Sequence, residues 1–186
     1  MEDSAIIDLY WAREEQALTE TDAKYGGMCR TIAYNILSSR EDSEECVNDT
    51  WLRAWNTMPP NRPGVLSAFL SKITRNLSLD RYKASRAAKR GGGQLPLALE
   101  ELGDCVPAAD SVEEALALEE LTQLLDRFLR TLPDRECCIF LRRYWYVDST
   151  RDIARRYEMA EGSVKSTLYR VRQKLREQLE KEGVVL

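Results

Sequence analysis

The chain has 186 residues, enough for one large or two small domains, and its 44% hydrophobic and 31% charged residues are ordinary for a well-packed protein. A net charge of −4 and a pI near 5.2 argue against a uniformly basic nucleic-acid-binding protein. Because histidine is absent and no P-loop, dinucleotide-binding glycine pattern or nucleophile elbow occurs, we expect no catalytic residues, no metal site and no cofactor.

The N-terminal half shows the three- and four-residue hydrophobic spacing of helices and no convincing strand. Its acidic start, Met1-Glu2-Asp3, does not resemble a secretory signal, and no apolar run could cross a bilayer. We therefore expect a cytoplasmic protein without membrane insertion. The pattern predicts four helices, with Ser43 capping the third and the loop Pro59–Gly64 preceding the fourth: about residues 4–17, 22–37, 43–58 and 67–90.

The third and fourth predicted helices each have an apolar side. That of the third consists of Val47, Trp51, Leu52 and Trp55. The fourth carries seven basic residues and one acidic residue between Lys72 and Arg90, a local charge of +6. Opposite its apolar stripe lies a basic ridge: Lys72, Arg75, Asn76, Leu79, Lys83, Arg86 and Arg90. This ridge is either simply solvated or a surface that contacts nucleic acid.

An acidic connector follows the basic ridge. Gly91-Gly92-Gly93 forms a joint, and residues 94–120 contain eight acidic and no basic residues, a local charge of −8. Two prolines and weak periodicity predict a flexible linker over residues 91–111. The predicted fold class is therefore all-α, with two small helical domains, residues 1–90 and 112–186, joined by an acidic linker.

The second domain is predicted to contain helices at about residues 112–131 and 134–146, followed by a helix-turn-helix over residues 149–176. The last helix has an apolar stripe of Val164, Leu168, Val171, Leu175 and Leu179. We place Gly162 in the tight turn before it. Hydrogen-bond donors and cations lie opposite or beside the stripe, which favours DNA binding over a merely solvated face: Gly162, Ser163, Lys165, Ser166, Tyr169, Arg170, Gln173 and Arg176.

Five cysteines lie at positions 29, 46, 105, 137 and 138, and their spacing does not match a metal site. We expect reduced, mostly buried thiols. A redox role for Cys105 is the alternative.

With these motifs in order, the chain resembles the sigma-70-type initiation factors of bacterial RNA polymerase, in the extracytoplasmic-function (ECF) group that keeps only regions 2 and 4. Residues 40–55, REDSEECVNDTWLRAW, resemble region 2.2, and residues 67–81, SAFLSKITRNLSLDR, are similar to regions 2.3 and 2.4. Leu132-Pro133-Asp134-Arg135-Glu136 together with the helix-turn-helix resembles region 4. The resemblance implies a region 2 helical bundle followed by a region 4 helix-turn-helix.

The resemblance also implies partners and sites. Core RNA polymerase would bind through its beta-prime clamp and beta flap, with the clamp on Glu45, Asn48, Asp49 and Arg53. The −10 promoter element would contact Asn61, Arg62, Lys72, Arg75, Asn76 and Lys83. The −35 element would contact Ser163, Lys165, Ser166, Tyr169 and Arg170. An anti-sigma factor is a further partner that the resemblance allows.

The implied function is promoter-specific transcription initiation in the cytoplasm at the nucleoid, with the chemistry left to the polymerase. The alternative is a stand-alone helix-turn-helix regulator that binds duplex DNA. An enzyme or a purely protein-binding adaptor fits the sequence less well. For the acidic linker, a role near the polymerase active centre and an inert spacer are both open. Ala160 replaces the Ser or Thr cap of many relatives, so we expect a less firmly fixed helix start there.

Overall fold

The computed structural model describes residues 1–86, 94–103 and 114–182. These residues form nine α-helices and no strand, which confirms the all-α prediction. Contacts divide the chain into an N-terminal unit, Met1–Gly93, and a C-terminal unit, Gln94–Leu186. The helices are α1 Asp3–Trp11, α2 Gln16–Leu37, α3 Arg40–Thr57, α4 Leu66–Arg86, α5 Gln94–Gly103, α6 Glu114–Thr131, α7 Asp134–Tyr144, α8 Thr150–Arg156 and α9 Glu161–Lys181.

In the N-terminal unit, helices α2, α3 and α4 pack against one another and α1 packs on α2. Their apolar sides form one core, in which most side chains are shielded from solvent. The fully buried members include Ile6, Tyr10, Ile32, Ile36, Met58, Leu66 and Leu70. This packing leaves the opposite sides of α3 and α4 exposed.

The interface between α3 and α4 also contains small polar side chains. Thr50 donates a hydrogen bond to Thr74 Oγ1 at 3.2 Å, and Ser78 Oγ lies 3.1 Å from Cys46 Sγ. Because small side chains let two helix backbones approach closely, and because each hydroxyl has a partner, burial of these groups is not costly. The two helices are thus held in a defined register.

The observed helix boundaries correct two predictions in this unit. The first predicted helix breaks after Trp11, where Arg13 has a positive φ of 58°, and α2 starts at Gln16 rather than near residue 22. Ser39, not Ser43, caps α3 by accepting a hydrogen bond from the backbone N–H of Asp42. Ser43 is buried inside the helix instead.

The C-terminal unit contains the predicted helix-turn-helix, formed by α8 and α9 and packed on α7. The predicted stripe is buried along α9, from Val164 to Leu179. The placement of Gly162 in the tight turn was wrong, because Gly162 lies inside the first turn of α9 with open space around it. Glu158 takes the left-handed conformation in the turn, with φ of 50°.

Helix α5 lies within residues 91–111, where the sequence analysis expects a linker, and it packs on α7. Leu95 and Ala98 are buried there. Glu101 accepts two hydrogen bonds from Arg143, at 2.6 and 3.0 Å, and one from Tyr144 at 3.0 Å. Residues 91–93 and 104–111, the rest of the predicted linker, lie outside the described part of the chain.

Arg143 is 2% exposed, so the free-energy cost of burying its positive charge must be offset by this pairing. Burial raises the pKa of Glu101, but the hydrogen bonds from Arg143 and Tyr144 and the positive charges nearby outweigh this effect and lower that pKa overall. A helix outside the predicted second domain therefore supplies the carboxylate that neutralises a buried cation of the C-terminal unit.

The described cysteines are all free thiols. Cys29 and Cys46 are buried as expected, whereas Cys137 is half-buried and Cys138 is exposed. Burial raises the pKa of Cys29 to about 11, which keeps this thiol protonated at neutral pH. Cys105 lies outside the described residues. Within the described ranges, no helix is long and apolar enough to cross a membrane, and no group of His, Cys, Asp and Glu could hold a metal ion.

Replacing Glu101 by Gln is expected to destabilise the C-terminal unit by about 2 kcal/mol, because it leaves the buried Arg143 without its carboxylate. Exposed Glu100 on the same helix provides the charge-matched control, Glu100→Gln, with an expected change below about 0.5 kcal/mol. Urea unfolding followed by circular dichroism measures both variants.

The same pair predicts a pH dependence. Because the folded-state pKa of Glu101 is lowered, its contribution is present above the ordinary glutamate pKa of about 4.3 and disappears as the pH falls below it. The difference in unfolding free energy between the wild type and Glu101→Gln should therefore shrink on acidification. A difference independent of pH from 7 to 3 would contradict the assignment.

Candidate functional site

The predicted polymerase-binding residues share the solvent side of α3. Glu45, Asn48 and Arg53 are exposed and Asp49 is half-buried. This side is exposed because Cys46, Val47, Thr50, Trp51 and Ala54 occupy the buried side of the same helix. We call Glu45, Asn48, Asp49 and Arg53, with Leu52 between them, the docking face.

The prediction that Leu52 belongs to the buried, apolar side of α3 was wrong. Its side chain is 60% exposed and belongs to the docking face, whereas Val47 and Trp51 are buried as expected. A shallow groove beside Leu52 is lined by Leu18, Trp51 and Trp55 and by the polar residues Glu15, Thr19 and Asn48. The docking face is therefore mixed: it has two acidic residues, one basic residue, one amide and the exposed apolar side chain of Leu52.

Arg81 of α4 contacts the docking face from the side. Its guanidinium lies 2.5 Å from Glu45 Oε2 and 3.1 Å from Asp49 Oδ2. The hydrogen bond from Arg81 lowers the pKa of Glu45. No local sequence pattern marks Arg81 as a site residue, because this pairing depends on how α4 packs across α3.

Three residues of the predicted −10 surface lie on the exposed side of α4: Lys72, Asn76 and Lys83. Arg75 does not share this exposure. Its side chain is half-buried, and burial lowers the pKa of its guanidinium. The basic ridge is thus narrower than predicted, and the side chains of its last two members, Arg86 and Arg90, lie outside the described part of the chain.

The remaining two predicted −10 residues lie in the loop between α3 and α4, and both are exposed. Asn61 donates a hydrogen bond to the carbonyl oxygen of Thr57 at 3.4 Å. Arg62 forms an ion pair with Asp8 and lies over the ring of Trp11, 5.8 Å from its centroid. The loop is therefore connected to α1, a contact that no local sequence pattern indicates.

The predicted −35 residues lie together on the exposed side of α9: Ser163, Lys165, Ser166, Tyr169 and Arg170. We call these five residues the recognition face. Lys165 pairs with Glu161 at 2.9 Å and lowers the pKa of that carboxyl. Tyr169 is 57% exposed, so its ring and hydroxyl are open to solvent on this face.

Several basic side chains of α9 are already paired within the protein. Arg172 donates a hydrogen bond to the hydroxyl of Tyr144 at 2.7 Å and lies 3.6 Å from Glu101. Lys174 pairs with Glu136 at 3.1 Å, and Arg170 of the recognition face lies 4.0 Å from the same carboxylate. The five residues of the recognition face lie in the N-terminal half of α9, which is the end that helix-turn-helix proteins insert into the major groove.

Two family sequence models match the chain, and they match the two structural units separately. The model described as "Sigma-70 region 2" matches residues 23–88, and "Sigma-70, region 4" matches residues 122–175. Together they cover well over half of the chain. The chain belongs to the sigma-70 family. Region 2 contains most of the N-terminal bundle, and region 4 contains the helix-turn-helix, in the order that the sequence analysis expects.

The chain is also similar to individual proteins that are named as RNA polymerase sigma factors. The chain is 28% identical over 149 residues to a "Probable RNA polymerase sigma factor RfaY" of Xanthomonas campestris, covering 80% of this chain and 36% of that protein. It is 28% identical over 153 residues to an "ECF RNA polymerase sigma factor SigE" of Mycolicibacterium smegmatis, covering 82% of this chain and 57% of that protein. An "RNA polymerase sigma-E factor" of Streptomyces avermitilis is 25% identical over 170 residues, with coverages of 90% and 84%.

The chain thus spans about a third and just over half of the lengths of the first two relatives. The prediction of an ECF-type sigma-70 factor is confirmed by the two matched regions and by the relatives. The alternative of a stand-alone regulator is not supported, because such a regulator has no need of region 2. Neither family model covers α5, so its packing on region 4 comes from the structure alone.

The start of α9 lacks a side-chain cap, since Ala160 occupies the N-cap position. We expect Ala160→Ser to stabilise region 4 by about 1 kcal/mol, because a serine oxygen can accept a backbone N–H that now has no side-chain partner. Thermal unfolding measures the change. Ala23→Ser, at an exposed position inside α2, is the matched control and should be neutral or slightly destabilising. Equal effects at both positions would contradict the capping argument.

Proposed function

We propose that this chain binds core RNA polymerase and directs it to promoters, with region 2 at the −10 element and region 4 at the −35 element. The observation that carries the proposal is that one chain contains both sigma regions, each with an exposed set of polar and basic side chains among the residues that the resemblance implies as contacts. The polymerase performs the chemistry, and this chain selects where it starts.

The docking face of α3 suits the beta-prime clamp. Its acidic residues, Glu45 and Asp49, attract basic side chains, and exposed Leu52 offers an apolar contact on the same face. Charge complementarity would set orientation and speed of association, while burial of Leu52 would add affinity. The beta flap is the proposed partner of region 4.

The −10 element would contact the exposed side of α4 and the preceding loop. Melting and holding single-stranded DNA requires cations for the backbone and groups that hydrogen-bond unstacked bases. Lys72 and Lys83 can contact phosphates, and Asn61 and Asn76 can hydrogen-bond base edges. Arg62 can contact DNA once its ion pair with Asp8 breaks. Arg75 is half-buried, so only part of its side chain would be open to DNA.

The −35 element would contact the recognition face. Arg170 and Lys165 can bind guanine edges or phosphates, and Ser163, Ser166 and Tyr169 can donate hydrogen bonds. Because Lys165 pairs with Glu161 at the surface, exchange of this pair for a phosphate costs little. We further propose a cytoplasmic, nucleoid-associated location, and control by an anti-sigma factor that covers one or both regions.

Mixing the purified chain with core polymerase tests the proposal. We expect co-elution on size exclusion and transcripts that start at defined promoters in a genomic fragment library. A duplex DNA shift without core polymerase and without transcripts would instead indicate the stand-alone regulator.

Replacing Lys165 and Arg170 together by Ala should reduce initiation at promoters with a −35 element by about tenfold or more, because each lost contact weakens binding by about 1–3 kcal/mol. Run-off transcription from matched promoters with intact and scrambled −35 elements measures the effect. Lys181→Ala, at the far end of α9, is the control for loss of positive charge. Equal losses on both promoters would count against the recognition face.

Replacing Lys72 and Lys83 by Ala should weaken open-complex formation and make it less dependent on salt. Each lost phosphate contact on single-stranded DNA reduces the slope of log affinity against log salt by about 0.7. Titration of a −10 single strand onto the holoenzyme at several salt concentrations measures the slope. Arg127→Ala in α6 should leave it unchanged, and an unaltered slope in the double variant would exclude these lysines.

A further inference from the structure

We propose that Arg81 is a positioning residue for polymerase docking, which holds Glu45 and Asp49 as a fixed pair on the docking face. The inference rests on the proposed function, since it assumes that this face binds a basic surface of core polymerase. It adds a residue of α4 to an interface that otherwise belongs to α3.

The geometry is that of one cation beneath two anions. Arg81 Nη1 lies 2.5 Å from Glu45 Oε2, and Nη2 lies 3.1 Å from Asp49 Oδ2. A third carboxylate, that of Asp42, lies 4.0 Å from Nη1. The side chain of Arg81 is 28% exposed, compared with 63% for Glu45 and 47% for Asp49. The carboxylates therefore face outward and the guanidinium supports them from the α4 side.

The contact with Arg81 offsets the repulsion between the carboxylates of Glu45 and Asp49. Glu45 and Asp49 are four residues apart on one helix, where like charges repel and side chains turn away from each other. A planar guanidinium has donors on two separate nitrogens, so it can bridge both carboxylates at once. The bridge removes rotamer freedom from both side chains before a partner arrives, and such ordering otherwise reduces affinity.

The bridge leaves binding capacity for a partner. Arg81 contacts one oxygen of each carboxylate, and an ionised carboxylate can accept several hydrogen bonds. Oε1 of Glu45 and Oδ1 of Asp49 can therefore accept from a partner that presents two cationic side chains about one helical turn apart. The partner chemistry is a helix or groove with paired arginine or lysine side chains.

A positioning role and simple charge attraction predict opposite effects of Arg81→Gln on binding to core polymerase. Arg81→Gln makes the docking face more negative, so simple attraction to a basic partner would strengthen binding. If Arg81 positions the carboxylates, the same substitution weakens binding of the full chain to core polymerase by about fivefold, because two side chains must then be ordered on docking. Fluorescence anisotropy at physiological salt measures the dissociation constant.

A matched control removes one positive charge from helix α3 without touching the bridge. Arg40 is exposed at the start of α3, and no ion pair links it to Glu45 or Asp49 among the described residues. Arg40→Gln should bind core polymerase as tightly as the wild type or slightly more tightly. A loss equal to that of Arg81→Gln would overturn the proposal, because the loss of affinity would then not depend on the bridge.

Two further variants separate positioning from a purely structural effect. Arg81→Lys keeps the charge, but one ammonium group contacts one carboxylate at a time, so it should recover only part of the affinity. In a Glu45→Gln, Asp49→Asn background, Arg81→Gln should have almost no additional effect on binding. A full fivefold effect in that background, or full recovery by lysine, would contradict the bridge.

The outcomes also distinguish this proposal from the proposed function. If the wild type does not bind core polymerase, the proposed function fails. If the wild type binds and Arg81→Gln, with unchanged circular dichroism and unfolding temperature, binds equally well or more tightly, only the role of Arg81 fails.

Discussion

Helices α3, α4 and α9 each bury one side in a small helical bundle, and this burial decides which of their polar side chains reach solvent. A helix of about twenty residues can bury only one stripe in a bundle of this size, so the opposite side remains for binding. The docking face, the exposed residues of α4 and the recognition face are all such opposite sides. The function proposed for the chain depends on these three surfaces.

Ion pairs have different roles in the two units. On the docking face, Arg81 reduces the repulsion between two carboxylates without burying them. In the C-terminal unit, Glu101 neutralises a cation that has almost no access to water. The first kind of pair contributes little to stability and much to the orientation of side chains, whereas loss of the second would leave a buried charge.

The acidic overall charge and the proposed contact with DNA are compatible because the charges are segregated. Several basic residues of α4 and α9 are already paired with carboxylates of this chain: Arg81, Lys165, Arg170, Arg172, Lys174 and Arg176. A chain with few available cations should bind DNA weakly by itself and depend on polymerase for affinity. This expectation agrees with a factor that acts as part of a larger enzyme.

The sequence alone determined the all-α class, the helix-turn-helix, the buried stripe of α9 and the exposure of most predicted site residues. These features follow from helical periodicity, which is a local property of 3.6 residues per turn. The family resemblance, carried by three motifs in order, supplied the partners.

Only the tertiary structure decided which side chains meet across helices. The bridge from Arg81 to α3, the pairing of Glu101 with Arg143 and the contact of Arg62 with Asp8 join residues between 32 and 54 positions apart. Burial of Arg75 and exposure of Leu52 likewise depend on where neighbouring helices lie. Periodicity gives the side of a helix on which a residue lies, but not the rotation and crossing of that helix against its neighbours, and these set each partner.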